Sequence, residues 1–302
     1  MTHPGNGGSV TNEKVRLAIM APSLNLCNYL FGIERGFFLR EGLQVEVMIR
    51  PGLRNTEAVA RGEADFGAAN ECAIQTALQG PTDLRILLQV LKDPVHDLIV
   101  GPGIQSFQHF RGQRVATPVA GSTPEIQTRL LLQEHGLLPD RDVFLVPRAP
   151  GEKMADHVRG LEAGEYAGLV AAPPILFLLE DKGYRSLLEL SSHFPGAASH
   201  GLVATTATIA ERRPLVEAMV RGYVRGVTAL KTEREAAVDF IARRFKLDIP
   251  LAVRCYDVLK DLWCADLFPD LIRSEIAFHA RTLGRSQIEI EKVADSQFAA
   301  IR

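Results

Sequence analysis

The sequence predicts an α/β protein of two similar lobes joined by a hinge that the chain crosses twice. Three observations carry this expectation. A length of 302 residues exceeds what one hydrophobic core usually organises. A strand, loop, helix, glycine and second strand follow one another early in the chain, and the same order recurs from Arg114. Between the copies lies an apolar, β-rich stretch broken by Asp93 and Pro94, which suits a passage from one lobe to the other.

Residues 1–12 are polar and Gly-rich and read as a disordered leader. VRLAIM (15–20) is a short apolar run of β-formers, followed by a Pro/Ser/Asn loop, a helical segment over 27–40, Gly42 and the run VEVMI (45–49). This is a βαβ unit, whose strands must be parallel and whose crossover is right-handed. TEAVARGEADFGAAN (56–70) then supplies a short helix, a Gly62-Glu63 turn and a third strand. In the second copy RVAT (114–117), PVAGSTPE (118–125), the helix IQTRLLLQEH (126–135), Gly136 and the run 143–146 repeat the pattern. HVRGLEAGEYAGLVAAPP (157–174) extends the match, setting Gly164-Glu165 opposite Gly62-Glu63.

LRILLQVLKDPVHDLIVGPG (84–103) holds the first crossing, and ASHGLVATT (198–206) the return. Beyond it the chain reads as helical: Pro214 suits a first turn, and Asp248 with Pro250 an N-cap and first-turn pair. These helices are expected to pack on the first lobe. The expected division is a leader 1–12, a discontinuous first lobe 13–100 plus 203–302, and a second lobe 101–202.

The net charge of −2, with signs interspersed, offers no basic stripe, so nucleic acid and anionic membrane surfaces are not expected partners. The four cysteines, Cys27, Cys72, Cys255 and Cys264, lack metal-ligand spacing and are too few for a disulfide scaffold. No run reaches membrane-span length, and the N-terminus lacks the apolar segment of a signal peptide. The sequence as it stands is therefore expected to be cytoplasmic, and periplasmic if it is a mature or mis-started form. GPGIQS (101–106) lacks the third glycine and the context of a dinucleotide site, and neither a Walker loop nor a GxSxG elbow occurs. Neither a cofactor nor a metal is expected.

In parallel α/β sheets, ligands sit outside the carboxyl ends of the strands. The repeat thereby nominates four loops, 21–27, 69–72, 118–125 and 171–174, as the walls of a cleft between lobes. The candidate ligand-binding residues are Ser23, Asn25 and Cys27; Asn70 and Glu71; Gly121, Ser122 and Thr123; Pro173; and, at the crossings, Asp93 and His200, with His96 a candidate only for an enzyme. Ser122 or Thr123 can cap the following helix, whose first N–H groups with Pro124 form an anion-attracting end. Asn70 suits an N-cap, while Glu71 could accept from an amine or a ring N–H, or act as an acid/base if buried. Arg50 and Arg54 could grip a carboxylate or sulfonate, although surface solvation is the more usual role of each alone. For Cys27 nucleophile, ligand contact and packing are all open: a helix N-terminus lowers a thiol pKa, but a nucleophile also needs a base within reach, and free cysteines usually serve as small hydrophobes.

GIERGFFLREGLQVEV (32–47), AVARGEADFGAAN (58–70), FRGQRVATPVAGSTPE (110–125) and GLLPDRDVFLV (136–146) make the sequence resemble the substrate-binding proteins of nitrate/sulfonate/taurine-type ABC importers and the related thiamine-pyrimidine precursor proteins. The resemblance covers roughly residues 14–245. It implies the type II periplasmic-binding-protein fold, with two Rossmann-like lobes, hinge closure and a small ligand held between them. A few cytoplasmic enzymes share that fold, among them a thiamine-pathway pyrimidine synthase, an aromatic sulfinate desulfinase and an aromatic decarboxylase. The synthase's clustered cysteines are missing here, and so are matches to the desulfinase's catalytic His and Arg, whereas Cys27 matches a cysteine in the desulfinase loop after the first strand.

The first functional expectation is a small-molecule binding protein for an organic anion or heterocycle, with an ABC permease as partner if exported. The alternative is a decarboxylase, desulfinase or related lyase on an aromatic or heterocyclic acid. It would use Cys27 with Glu71 or a histidine such as His96. Fold alone does not choose between binder and enzyme.

Overall fold

Each repeat folds around its own sheet. In the computed structural model, which describes residues 12–93, 95–149, 151–194 and 200–301, the strands are β1 (Glu13–Ile19), β2 (Leu43–Ile49), β3 (Phe66–Gly67), β4 (Leu84–Leu91), β5 (Asp97–Val100), β6 (Arg114–Thr117), β7 (Phe144–Pro147), β8 (Gly168–Ala171), β9 (Arg185–Glu189), β10 (Gly201–Thr205) and β11 (Trp263–Asp266). Among the described residues, one sheet runs β11-β4-β10-β3-β1-β2 and the other β7-β6-β8-β5-β9. β1 is parallel to β2 with Val15 opposite Val45, and β6 to β7 with Val115 opposite Leu145, as the two βαβ units require. The third strand of each copy lies on the other side of the first, Leu17 opposite Phe66 and Val115 opposite Gly168.

The hinge arises because each sheet takes in one strand that has just crossed. β5 follows β4 in sequence but lies antiparallel between β8 and β9, while β10 lies antiparallel between β3 and β4. This corrects the expected boundaries 13–100, 101–202 and 203–302. Residues 97–100 already belong to the second sheet and residues 201–202 to the first, so the crossings fall at 92–96 and 194–200. A continuous apolar run shows that a strand is buried on both faces but not which sheet receives it. The expected leader, 1–12, lies outside the described residues apart from Asn12.

The C-terminal helices pack on the first lobe. Arg213–Thr232 lies across Cys27–Glu34 and Phe37–Arg40, Arg234–Phe245 packs on Ile249–Leu259, and Pro269–Leu283 covers Asn70–Gln79. Glycines set the closest approach, since a Cβ on Gly226 would stand 3.0 Å from the Gly32 Cα. Pro214 sits in its helix's first turn, and Asp248 caps its helix by accepting from the Leu251 N–H at 2.8 Å. Among the described residues no helix is long and apolar enough to cross a membrane.

Two expected caps differ in detail. Ser122 is the N-cap of Thr123–Glu134 but makes no side-chain cap; the carboxylate of Glu125 instead reaches back to the Gly121 N–H at 3.2 Å. Asn70 begins its helix after Ala69 rather than capping it, and its side-chain amide donates to the His200 carbonyl at 3.4 Å, tying the helix to the return crossing.

Candidate functional site

The carboxyl ends of β1, β6, β7 and β8 point towards the gap between the lobes, where a cavity of about 260 Å³ opens. All four nominated loops reach its wall: 20–25, Glu71 from the helix Asn70–Gln79, the stretch from Pro118 to Pro124, and 172–175. The crossings add His96 and His200. Most of the wall is apolar, Met20, Val119, Met154, Ile175 and Phe245 among it.

Of the expected ligand residues, Ser23, Asn25, Glu71, Ser122, Pro173 and His200 line the cavity, as does His96, which was expected there only in an enzyme. Asn70, Asp93, Gly121 and Thr123 stand off the wall. Gly121 is held from behind, its carbonyl accepting from the Gln75 amide at 3.0 Å. Thr123 is fully buried, and Asp93 is pushed up to about 6 by burial and by nearby Glu189. Arg50 and Arg54 are also elsewhere, Arg50 bonding to the Ile49 carbonyl and Arg54 being exposed.

Cys27 corrects a stronger expectation. A 3-10 turn, Leu24–Leu26, precedes the helix Cys27–Glu34 and rotates its first residue inward. The thiol lies fully buried in the first lobe's core, with Cys255 nearby. Burial, reinforced by Cys255, pushes its pKa far up and disfavours the thiolate, and Cys27 is not among the residues that line the cavity. The expected catalytic set Cys27, Glu71 and His96 is therefore not assembled: the two acid/base groups reach the cavity and the nucleophile does not.

Glu71 is 2 % exposed, and burial raises its pKa from the ordinary 4.5 to about 8 against a favourable bond from its own backbone N–H. Its Oε2 has no hydrogen-bond partner among the described residues, and the same holds for Ser122 Oγ. Ser122 is itself only 8 % exposed and sits at the N-terminus of a 12-residue helix. A fixed dipole end and an unused hydroxyl thus meet at one patch of wall.

Arg148 is the residue that the sequence reading missed. It follows β7 directly, as Arg50 follows β2 in the first copy, so the strand-end rule applied to both repeats would have found it. Its guanidinium is half-buried on the cavity wall and, among the described residues, makes no ion pair. Burial lowers its pKa, partly offset by the field of Glu152. Glu152 itself is occupied by the Ala149 N–H and His157. No group of three or more metal-ligating side chains occurs among the described residues.

Comparison with known proteins agrees with this architecture. The alkanesulfonate-binding protein SsuA from Xanthomonas axonopodis pv. citri, bound to MOPS, is similar over 95% of this chain and 96% of that one, with TM-score 0.74 and 14% identity. A Candida albicans gene product described as having the generic periplasmic binding protein fold matches over 94% and 96%, with TM-score 0.74 and 11% identity. A cysteine-to-serine mutant of DszB in complex with biphenyl-2-sulfinic acid matches over 95% and 98%, with TM-score 0.67 and 16% identity. These likenesses establish the periplasmic-binding-protein fold. No curated protein sequence matches the chain. The family model "NMT1/THI5 like" matches residues 23–237, most of the 302-residue length, and the chain belongs to the NMT1/THI5-like family.

Proposed function

We propose that the chain is a solute-binding protein of the ABC-importer kind, closing two lobes around a small organic anion with an apolar body. Arg148 is the observation that carries this reading. A half-buried guanidinium without an ion pair is costly, and a ligand carboxylate or sulfonate taking its fork bidentately offsets that cost. Ser122 and the helix end behind it supply further donors, and the apolar wall suits an aromatic or aliphatic body. The alkanesulfonate-binding protein among the similar structures supports the same ligand chemistry.

Contacts from both lobes make closure a population shift driven by the ligand. An importer role implies a permease partner and the exported form of the chain. The lyase alternative loses its nucleophile with the burial of Cys27.

A thermal-shift screen with benzenesulfonate, benzoate and MOPS, followed by calorimetry on any hit, tests the reading. At least one compound is expected to stabilise the protein and to be recovered unchanged. Arg148→Ala, with its fold checked by circular dichroism, should weaken binding about 10- to 150-fold, the range for a hydrogen-bonded charge. Undiminished binding by that variant, or no stabilisation by any anion, counts against the proposal, and product formation would favour a lyase.

A further inference from the structure

The apolar part of the cavity wall is accessible surface contributed by both lobes. Met20 directly follows β1 and Val119 comes just after β6; Met154 and Ile175 open the helices Met154–Glu162 and Ile175–Glu180, and Phe245 ends Arg234–Phe245. All five side chains line the cavity and all are half-buried, so each can still lose water to a ligand. Among the described residues of the wall, Phe245 carries the only phenyl, phenol or indole ring.

The position of that ring is fixed by how its helix stops. Lys246 follows with a φ of +57°, in the left-handed region, and the Leu247 N–H donates back to the Ala242 carbonyl at 2.9 Å, which turns the chain sharply after Phe245. One side of the ring packs on the first lobe's core. The helix Ile249–Leu259, on which Arg234–Phe245 packs, holds the second lobe through Arg254, ion-paired to Asp181 and lying over Phe177. One clasp thus joins the two elements whose ends, Phe245 in the first lobe and Ile175 in the second, line the cavity. The unpaired cation Arg148 belongs to the second lobe, so the charged pole and the aromatic ring come from opposite lobes.

Burial against such a wall scales with apolar area and does not distinguish an aromatic body from a saturated one of equal size. An aromatic body gains further attraction from the edge or face of a phenyl ring and from thioether sulfur, which a saturated body does not. Met20 in the first lobe and Met154 in the second supply two such sulfurs beside the Phe245 ring.

We propose that Phe245 is a specificity-determining residue that selects an aromatic body for the bound anion, with Met20 and Met154 reinforcing the choice. The ligand class narrows to an aromatic monoanion, a sulfonate or carboxylate whose ring meets the first lobe while its charge meets Arg148. This deepens the anion-cleft reading and rests on it for the charged pole. Phe245 lies beyond residues 23–237 matched by the family model, so the selecting ring stands outside the matched part of the chain.

The test compares benzenesulfonate with cyclohexanesulfonate, which share the anion and differ chiefly in the π system, by calorimetry. The saturated ring has the larger apolar area, so burial alone would favour it. The native chain should instead bind benzenesulfonate about 2- to 12-fold more tightly. Phe245→Leu, with its fold checked by circular dichroism, should lose most of that preference, and Phe245→Tyr should keep it. Arg148→Ala should weaken both compounds alike and leave their ratio unchanged. A native preference for neither compound or for the saturated one overturns this inference, and so does a preference that survives Phe245→Leu; loss of both affinities in Arg148→Ala would then leave the anion-cleft reading standing. Should Phe245→Leu not fold, the native ratio and Phe245→Tyr decide. Binding of neither compound overturns both this inference and the anion-cleft reading.

Discussion

The Gln75 side-chain amide, from the first lobe, donates across the cleft to the carbonyl of Gly121 in the second lobe at 3.0 Å. Gly121 has a φ of +77°, which presents the loop ahead of Ser122 in a left-handed turn that a side chain would disfavour. The bond therefore joins the lobes immediately behind the cavity wall. A net hydrogen bond contributes about 0.5–1.5 kcal/mol, so Gln75→Ala should raise the ratio of open to closed lobes about 2- to 12-fold. Double electron–electron resonance between spin labels on the two lobes measures this, and an unchanged distance distribution would show that the bond does not hold the lobes.

Arg254 forms a second clasp at the lobe boundary. Its guanidinium meets Asp181 at 2.8 and 2.9 Å and Glu180 at 3.4 Å, and lies over the Phe177 ring at 4.4 Å. It comes from the helix Ile249–Leu259, whereas its partners end the helix Ile175–Glu180, whose first residue lines the cavity. The pair is partly exposed, so its contribution is about 0–1 kcal/mol and screened by salt. Arg254→Ala should open the lobes slightly, and the native chain should approach the variant's small-angle scattering profile as ionic strength rises. A native profile indifferent to salt would speak against the clasp.

Cys27 should be chemically silent. All four cysteines are buried, and burial raises each thiol's pKa. Mass-spectrometric footprinting with iodoacetamide should label none of them in the folded chain and all in denaturant. Cys27→Ser should bind ligand as the native chain does, yet lose about 1–3 kcal/mol of stability, because a hydroxyl enters an apolar site. Rapid native labelling at Cys27 would reopen the nucleophile.

Opposite pH dependences are expected from Glu71 and Asp65. The Glu71 carboxyl keeps its proton in the folded chain up to about 8, whereas its ordinary value is 4.5, so the folded state binds more protons in that window and stability falls as pH rises through it. Glu71→Gln should remove that decline, seen as a flatter urea-midpoint profile between the ordinary 4.5 and about 8. For Asp65 burial alone would raise the pKa, but the Arg16 N–H at 2.8 Å and the Arg212 guanidinium at 2.7 Å outweigh it and the value is lowered. Its contribution is present above the ordinary carboxylate value and is lost as pH falls through the lowered one. Asp65→Asn should therefore cost most near neutrality and least in acid, and equal costs at both would contradict the assignment.

The repeat, the parallel pairing of β1 with β2 and of β6 with β7, and the loops that wall the cleft were legible in the sequence, because apolar periodicity and the strand-end rule are local. Arg148 was legible by the same rule. Which sheet receives β5 and β10 was not, since a fully apolar run looks alike in either place. Nor was the fate of Cys27: a one-turn 3-10 segment changes helix phase, and phase decides between cavity and core. Glu275 and His279 meet Glu71 and Gln75 only because the last long helix folds back over Asn70–Gln79. The sequence alone determined the fold, the cleft and the residue types at its edge; only the tertiary structure decided which of those side chains reach the ligand and in what charge state, because burial and long-range neighbours set both.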